Sequence, residues 1–219
     1  MLPIENVFET AIMCVSFSFD FISSLIMFKF VIVLCSMSNI YYFIDKFDSN
    51  EILSLDKNIN IIYRNYNELN VDTTIKKIKG ICKSENRKLF ISNNLKIALR
   101  FNLDGLYLPA FNKIAKYKNI HFKKNFKIIG SAHNYKEIKI KEKQGCVEIF
   151  ISPIFFNPKN KSYLDVIKFN NLNLTTKIKS IALGGINEKN IRKLSCTKVV
   201  GFAGISWIKK NRPNKFRPV

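Results

Sequence analysis

The predicted fold rests first on the pattern in the segment Ser180–Ile205, SIALGGINEKNIRKLSCTKVVGFAGI. Two short apolar runs in it, Ser180–Gly184 and Lys198–Phe202, have the length and composition of buried strands. Between them a polar residue, Asn187, precedes the amphipathic stretch Glu188–Leu194, which is the pattern of a capped helix. A strand, a helix and a second strand in this order predict one repeating unit of a parallel sheet.

The same alternation of apolar runs and amphipathic stretches begins at Ile40 and continues through the chain. The predicted strands are Ile40–Asp45, Ile59–Arg64, Lys88–Ser92, Gly105–Leu108, Phe126–Gly130, Val147–Ser152, Ser180–Gly184 and Lys198–Phe202. The other predicted helices, each after a polar cap, are Thr73–Glu85 after Asp72, Asn94–Phe101 after Asn93, and Tyr135–Gln144 after Asn134. Eight such units predict an α/β fold, a small (βα)8 TIM barrel, in which we expect short helices and one or two absent ones.

Residues 1–36 differ in composition from the rest of the chain. They hold one lysine and three acidic residues, whereas the whole chain has a formal charge of +20. Residues 11–36 are mostly apolar, but Asp20 and Lys29 interrupt them, which disfavours a membrane span. We therefore predict an apolar N-terminal extension at 1–36 and a barrel at 37–219. A translation start assigned too early and membrane association through residues 11–36 are the alternative interpretations of the first region.

The charge and the cysteines limit the class of protein. Lys and Arg number 36 against 16 Asp and Glu, but the lysines are scattered and no Arg-rich arm or RRM-type aromatic motif occurs. A basic nucleic-acid-binding module is therefore a remote alternative, and we expect small phosphorylated molecules as partners. The five cysteines are odd in number and lack a Cys-x-x-Cys pair, which favours reduced thiols in a cytoplasmic protein. The sequence leaves open whether identical chains assemble into an oligomer.

A TIM barrel places its chemistry at the carboxyl ends of its strands. Glycines follow the seventh predicted strand at Gly184-Gly185 and the eighth at Gly204, just before Ile205 and Ser206. Glycines at these places let backbone amides approach a phosphate closely. A tight turn is the alternative for Gly184-Gly185 alone, but the two glycine signals together favour a phosphate site.

Five motifs then resemble the thiamine phosphate synthase and TenI-like superfamily in their order and spacing. They are Asp104-Gly105-Leu106-Tyr107-Leu108, Ile128-Ile129-Gly130-Ser131-Ala132-His133, Ser152-Pro153-Ile154-Phe155, Ala182-Leu183-Gly184-Gly185-Ile186 and Gly201-Phe202-Ala203-Gly204-Ile205. The resemblance covers about residues 39–210. The Tyr-Arg, Leu-Pro and Ser-Pro-Ile-Phe sequences that follow strands two, four and six look most like a divergent branch of the synthase.

The resemblance implies a barrel that binds a thiazole phosphate in thiamine biosynthesis. In the synthase, a transferase, the thiazole nitrogen displaces pyrophosphate from an aminopyrimidine and gives thiamine phosphate. A TenI-like relative instead isomerises a thiazole carboxylate phosphate by proton transfer. The branch resemblance favours the synthase, and a thiazole tautomerase or a non-catalytic thiazole-phosphate binder are the alternatives.

The resemblance also implies roles for residues on the pyrophosphate side of the site. Arg64 matches the basic residue that contacts pyrophosphate, and Tyr66 stands where the family prefers lysine. Asn93 and Asn112 stand where the family carries metal-binding carboxylates, so we expect Mg²⁺ to bind poorly, if at all. Asn93 remains a candidate for substrate binding, and the loop after strand six offers two cations, Lys159 and Lys161.

On the thiazole-phosphate side the resemblance implies binding through Gly184, Gly185, Ile205 and Ser206. His133 matches the position of the histidine that transfers a proton in the tautomerase, and histidine is the side chain most used for proton transfer at neutral pH. We therefore expect His133 and Arg64 to be the catalytic residues.

Overall fold

The structure, a computed structural model, describes residues 37, 39–115, 117, 120–158, 162–204 and 208. Eight parallel strands form a closed barrel in which each strand pairs with its sequence neighbours and the eighth pairs with the first. The strands are β1 Asn39–Ile44, β2 Ile59–Tyr63, β3 Leu89–Ser92, β4 Gly105–Leu108, β5 Lys127–Ala132, β6 Glu148–Ile151, β7 Lys179–Leu183 and β8 Gly201–Ala203. The predicted TIM barrel is therefore confirmed.

Short helices connect the strands within the described part of the chain. They are α1 Ser49–Leu53, α2 Val71–Ser84, α3 Leu95–Arg100, α4 Tyr135–Lys143, α5 Asp165–Asn173 and a 3-10 helix, Ile191–Cys196. The cap predicted at Asn134 is confirmed, because its side chain accepts a hydrogen bond from the Glu137 N–H. The cap predicted at Asn93 is wrong by one residue, since the side chain of Asn94 accepts the N–H of Ile97 instead.

Two other predicted helix starts are also displaced. Helix α2 begins at Val71 after Asn70 rather than after Asp72, and Asp72 lies in its first turn. The segment predicted as a helix after Asn187 forms the 3-10 helix only from Ile191 onward. Helices α1 and α5 were not predicted, because their short sequences carry little apolar periodicity.

Large aromatic rings fill the barrel interior. Tyr41 makes edge-to-face contacts with Phe90 and Phe150 at centroid distances of 5.7 and 5.2 Å. Phe43 and Tyr107 make similar contacts with each other and with Phe150. The core also includes Ile62, Ile129, Ile181 and Ala203. A barrel packed in this way is closed to solvent along its axis, so ligands must bind at its ends.

A buried carboxylate lies at the amino-terminal end of the barrel. Glu148, the first residue of β6, is 1% exposed. It accepts hydrogen bonds from the Tyr41 hydroxyl at 2.5 Å, the Lys127 ammonium at 2.8 Å and the Asn39 amide at 3.2 Å. Burial, and then this carboxylate, raise the pKa of Tyr41, so its hydroxyl remains a donor. We interpret this network as structural, because it lies far from the strand ends that carry chemistry.

The chain divides into two units, Met1–Met37 and Ser38–Val219, and the barrel lies in the second. Residues 1–36 lie outside the described residues, so the prediction that they form a separate extension stays a prediction. Among the residues that the structure does describe, no helix combines the length and the apolar character that crossing a membrane requires.

Candidate functional site

All carboxyl ends of the eight parallel strands meet at one end of the barrel, which we call the barrel mouth. Arg64 follows β2, Asn93 follows β3, His133 follows β5 and Gly184 follows β7. The fold therefore brings these four predicted site residues to the same end of the molecule, although they are distant in sequence.

Arg64 presents its charge at the barrel mouth. Its guanidinium carbon lies 5.1 Å from the centroid of the buried Phe43 ring. The side chain makes no ion pair with any residue that the structure describes. A rim salt bridge is thus not observed for Arg64 among the described residues. The guanidinium does hydrogen-bond to Tyr107, an interaction that partly offsets the rise that burial causes in the pKa of that phenol. A guanidinium has five N–H donors, so others remain for an anionic ligand.

A buried hydroxyl pair lies at the carboxyl end of the barrel interior. The Tyr107 hydroxyl donates a hydrogen bond of 2.9 Å to the Ser131 oxygen. Burial raises the pKa of Tyr107 to about 12, so the phenol stays protonated at physiological pH. Neither residue was predicted as a site residue, although both belong to motifs that carry the resemblance.

Tyr66 joins the loop after β2 to the end of β3. Its hydroxyl lies 2.9 Å from the Ser92 hydroxyl, and its ring makes an edge-to-face contact with Phe111 at 5.8 Å. Both rings are more than half exposed. Where the resembled family prefers a lysine, this chain therefore presents a neutral aromatic surface.

The two asparagines at the expected metal positions are hydrogen-bonded directly to each other. Asn112 Nδ2 donates to Asn93 Oδ1 at 2.5 Å. Asn112 Oδ1 accepts hydrogen bonds from the Ile114 backbone N–H at 2.9 Å and from Gln144 Nε2 at 3.1 Å. Asn112 is only 5% exposed, whereas Asn93 is exposed. The two residues that the resemblance assigns to the metal positions thus lie side by side, and the bond between their amides was not predicted.

Lys141 and Gln144, at the end of α4, hydrogen-bond to Asn112 of this pair. Lys141 is fully buried, and its ammonium donates to the Pro109 and Asn112 carbonyl oxygens and to Gln144 Oε1 at 2.7 to 3.0 Å. Gln144 Nε2 donates in turn to the Asn112 and Ile114 carbonyls. Burial lowers the pKa of Lys141 to about 8, so it is mostly protonated at neutral pH and can serve all three acceptors.

Sequence reasoning missed Lys141 and Gln144, because the lysine-rich stretch Tyr135–Lys143 resembles a solvent-exposed helix. One signal was available in the spacing. Lys141 follows the buried Ile138 by three residues and so lies on the same helix face, the face that packs against the barrel.

The donor set at this place does not fit a magnesium ion. Mg²⁺ is usually bound through carboxylates, but here both side chains are amides, and the oxygen of each already accepts a hydrogen bond. Within the described residues no group of three or more His, Cys, Asp or Glu side chains could hold a metal. The two side chains therefore form a hydrogen-bonded amide pair whose chemistry does not match the carboxylate ligands that Mg²⁺ prefers.

His133 is held in one orientation. Its ring Nδ1 lies 2.8 Å from the Ser152 carbonyl oxygen, and its backbone N–H donates to the Glu137 carboxylate at 2.7 Å. Since a carbonyl oxygen can only accept, Nδ1 must carry the proton, and Nε2 of the neutral ring is an unprotonated base. Nε2 makes no hydrogen bond to the described part of the chain, so it is free to take up a proton from a ligand.

Gly184 and Gly185 form the turn after β7 with φ angles of +93° and +72°. A Cβ at Gly185 would lie 2.3 Å from the Phe155 carbonyl oxygen, so close packing against the loop after β6 requires glycine here. The backbone N–H groups of Gly184, Gly185 and Ile186 donate to no atom among the described residues. The tight turn, which was the alternative interpretation of these glycines, is therefore observed, and phosphate binding at this turn stays a prediction.

Four predicted site residues lie outside the described residues. They are Lys159, Lys161, Ile205 and Ser206. The structure places β8 up to Ala203, followed by Gly204, so the predicted phosphate site is described only on its β7 side.

Comparisons with known proteins find similar sequences and similar structures. A family model described as thiamine monophosphate synthase matches residues 55–208. The chain is 34% identical over 142 residues to a thiamine-phosphate synthase of Prochlorococcus marinus, an alignment that covers 61% of this chain and 38% of that protein. It is 31% identical over 140 residues to a thiamine-phosphate synthase of Clostridium novyi, covering 62% of this chain and 68% of the relative. The chain thus spans well under half the length of the Prochlorococcus protein.

Among solved structures, a thiamine phosphate pyrophosphorylase from Pyrococcus furiosus superposes with a TM-score of 0.64. The superposition covers 81% of this chain and 93% of the other, with 20% sequence identity. At that identity the likeness concerns the barrel fold alone.

Proposed function

The chain belongs to the thiamine monophosphate synthase family, and from this premise we propose that it joins an aminopyrimidine pyrophosphate to a thiazole phosphate. In this reaction the thiazole nitrogen forms a bond to the methylene carbon of the pyrimidine. The bond from that carbon to the pyrophosphate oxygen breaks, and thiamine phosphate and pyrophosphate are the products. As part of the proposal, the chain acts in the cytoplasm on small phosphorylated molecules.

One observation carries the proposal: the barrel mouth offers two separate groups of hydrogen-bond donors for anions. The Arg64 guanidinium follows β2 and has no carboxylate partner among the described residues. The N–H groups of Gly184, Gly185 and Ile186 follow β7 and donate to none of the residues that the structure describes. A reaction between two phosphorylated substrates needs two such groups, and Arg64 suits the pyrophosphate because its donors can bind two oxygens at once.

Aromatic surface at the same end of the barrel suits the pyrimidine ring. Tyr66 and Phe111 contact each other on the loops after β2 and β4. Phe156 and Tyr163 contact each other on the segment after β6, with ring centroids 6.2 Å apart. Exposed rings of this kind stack with flat ligands and shield a reacting carbon from water.

The direct test incubates the chain with thiazole phosphate and aminopyrimidine pyrophosphate, with product analysis for thiamine phosphate. We expect product, and we expect Arg64→Gln to lower kcat/KM by about 10- to 100-fold, because a charge-assisted contact to the leaving group is lost. Arg100→Gln is the matched control, since Arg100 pairs with Asp72 on an exposed helix and should change the rate by less than about twofold. Absence of thiamine phosphate with the unmodified chain would refute the proposal.

A thiazole tautomerase is the second candidate, and the fixed tautomer of His133 favours it. If the chain isomerises thiazole carboxylate phosphate, His133→Asn should lower kcat by about 100-fold with little change in KM. Asparagine can still donate to the Ser152 carbonyl but lacks the base at Nε2. The same change at the exposed His121 is the control. An isomerisation rate that survives His133→Asn would show that the histidine only positions the loop.

A further inference from the structure

Two groups near Asn112, the Ile114 backbone N–H and the Lys141 ammonium, determine which atoms donate and which accept in the surrounding hydrogen bonds. The Ile114 backbone N–H can donate a hydrogen bond but cannot accept one, and the same is true of the Lys141 ammonium. The side-chain amides beside these groups, those of Asn112 and Gln144, must therefore direct their oxygens toward them. This removes the usual ambiguity between oxygen and nitrogen in an amide side chain.

Asn112 is oriented first. Its oxygen must face the Ile114 N–H, so Nδ2 must face away from that group and toward Asn93. The hydrogen bonds of Gln144 lead to the same orientation of the Asn112 amide. Its Oε1 accepts from Lys141, so Nε2 is the atom directed at Asn112, and it donates to Asn112 Oδ1. The two routes agree that Asn112 presents a donor to Asn93.

Asn93 is oriented as a consequence. The atom that receives the Asn112 Nδ2 donor must be Oδ1, so the remaining polar atom of this exposed side chain is Nδ2. Nδ2 makes no hydrogen bond within the described part of the chain. The backbone is fixed as well, because the Asn93 N–H donates to the Tyr107 carbonyl at 2.8 Å and φ is +57°. The residue thus offers a preoriented donor at the barrel mouth.

We propose that Asn93 Nδ2 donates directly to an anionic oxygen of the pyrophosphate group and that this chain binds that group without a divalent cation. The inference rests on the proposed function for the identity of the ligand. A carboxylate at this position would repel pyrophosphate unless a cation lay between them, whereas an amide hydrogen attracts it. Asn93, with Asn112, Gln144 and Lys141 behind it, supplies a donor where a carboxylate pair would need a metal.

Titration calorimetry of the full chain with inorganic pyrophosphate tests this directly, once in EDTA and once in Mg²⁺. We expect the Kd in EDTA to be equal to or lower than the Kd in Mg²⁺, since Mg²⁺ neutralises charge on the free ligand. Asn93→Asp should raise the Kd in EDTA at least tenfold. The aspartate can still accept from Asn112 Nδ2 and tolerates a left-handed φ, so the fold should persist.

Two further variants separate local polarity from added charge. Asn94→Asp adds the same charge one residue away, where the side chain only caps α3, and should change the Kd by less than about threefold. Asn112→Asp leaves Asn93 chemically unchanged but removes the donor that orients it. The Asn93 amide must then turn its nitrogen toward the new carboxylate and its oxygen toward the ligand, so we again expect a Kd at least tenfold higher.

The binding experiments test the role of Asn93 separately from the product assay, which tests the proposed reaction. Pyrophosphate binding that requires Mg²⁺, no binding under either condition, or equal effects of Asn93→Asp and Asn94→Asp would each overturn the inference. If pyrophosphate binds in EDTA as expected while no thiamine phosphate forms in the product assay, the proposed function fails and the assignment of Asn93 as an anion donor stands.

Discussion

Replacing Glu148 with alanine is expected to lower the free energy of unfolding by about 3–5 kcal/mol. The carboxylate is buried and accepts hydrogen bonds from Tyr41, Lys127 and Asn39. Its removal leaves the Tyr41 hydroxyl without an acceptor in the barrel interior and the Lys127 ammonium without its ion-pair partner. Unsatisfied buried donors cost about 1–3 kcal/mol each, and the cavity left by the side chain adds to this.

Urea denaturation followed by circular dichroism measures this loss. Glu188→Ala is the matched control, because Glu188 is exposed and should change stability by less than about 0.5 kcal/mol. Glu148→Gln keeps the shape and one acceptor oxygen, so we expect an intermediate loss. A Glu148→Ala variant within about 1 kcal/mol of the unmodified chain would show that the network contributes little to stability.

Gly185→Ala is expected to destabilise the fold by about 2–4 kcal/mol. The added Cβ would lie 2.3 Å from the Phe155 carbonyl oxygen and 2.5 Å from that of Phe156, so the loop after β6 must move. The φ angle of +72° adds the cost of a left-handed alanine, about 1 kcal/mol. We also expect weaker binding of thiazole phosphate, because the moved loop displaces the N–H groups of this turn.

Gly80→Ala is the natural comparison for this variant. Gly80 lies inside α2, and a Cβ there meets nothing within 4 Å. The same chemical change should therefore stabilise the chain by up to about 1 kcal/mol, through helix propensity. The two variants should shift the urea midpoint in opposite directions. Equal shifts would mean that the close approach at Gly185 does not exist in solution.

The strands were predictable and the helices less so, for physical reasons. A buried parallel strand is a short apolar run, so its sequence signal is complete within itself, and all eight predicted strands overlap those of the structure. Helix starts depend on which of several neighbouring polar residues caps the helix. At Asn93-Asn94 the first residue takes a left-handed φ and only the second caps. Helix α5 buries one residue, Phe169, so its sequence carries almost no periodicity.

In the candidate site, the positions of residues could be predicted from the sequence, but the orientations of their side chains could not. Strand-end positions follow from the order of strands, so Arg64, Asn93 and His133 could be placed at the barrel mouth from the sequence. The orientation of each side chain depends on partners far away in the chain. Lys141 and Asn112 are 29 residues apart, and only the packing of α4 against the barrel brings them together. The polarity of Asn93 could not be derived without that contact.

The aromatic interior has a consequence for the dynamics of the barrel. The Phe150 ring contacts three other rings, those of Tyr41, Phe43 and Tyr107, each edge to face. A half-turn of the Phe150 ring would sweep through space that these neighbours occupy, so it requires the surrounding strands to move apart briefly. The rate of that rotation, observable by NMR as exchange between the two sides of the ring, therefore reports how often the barrel expands.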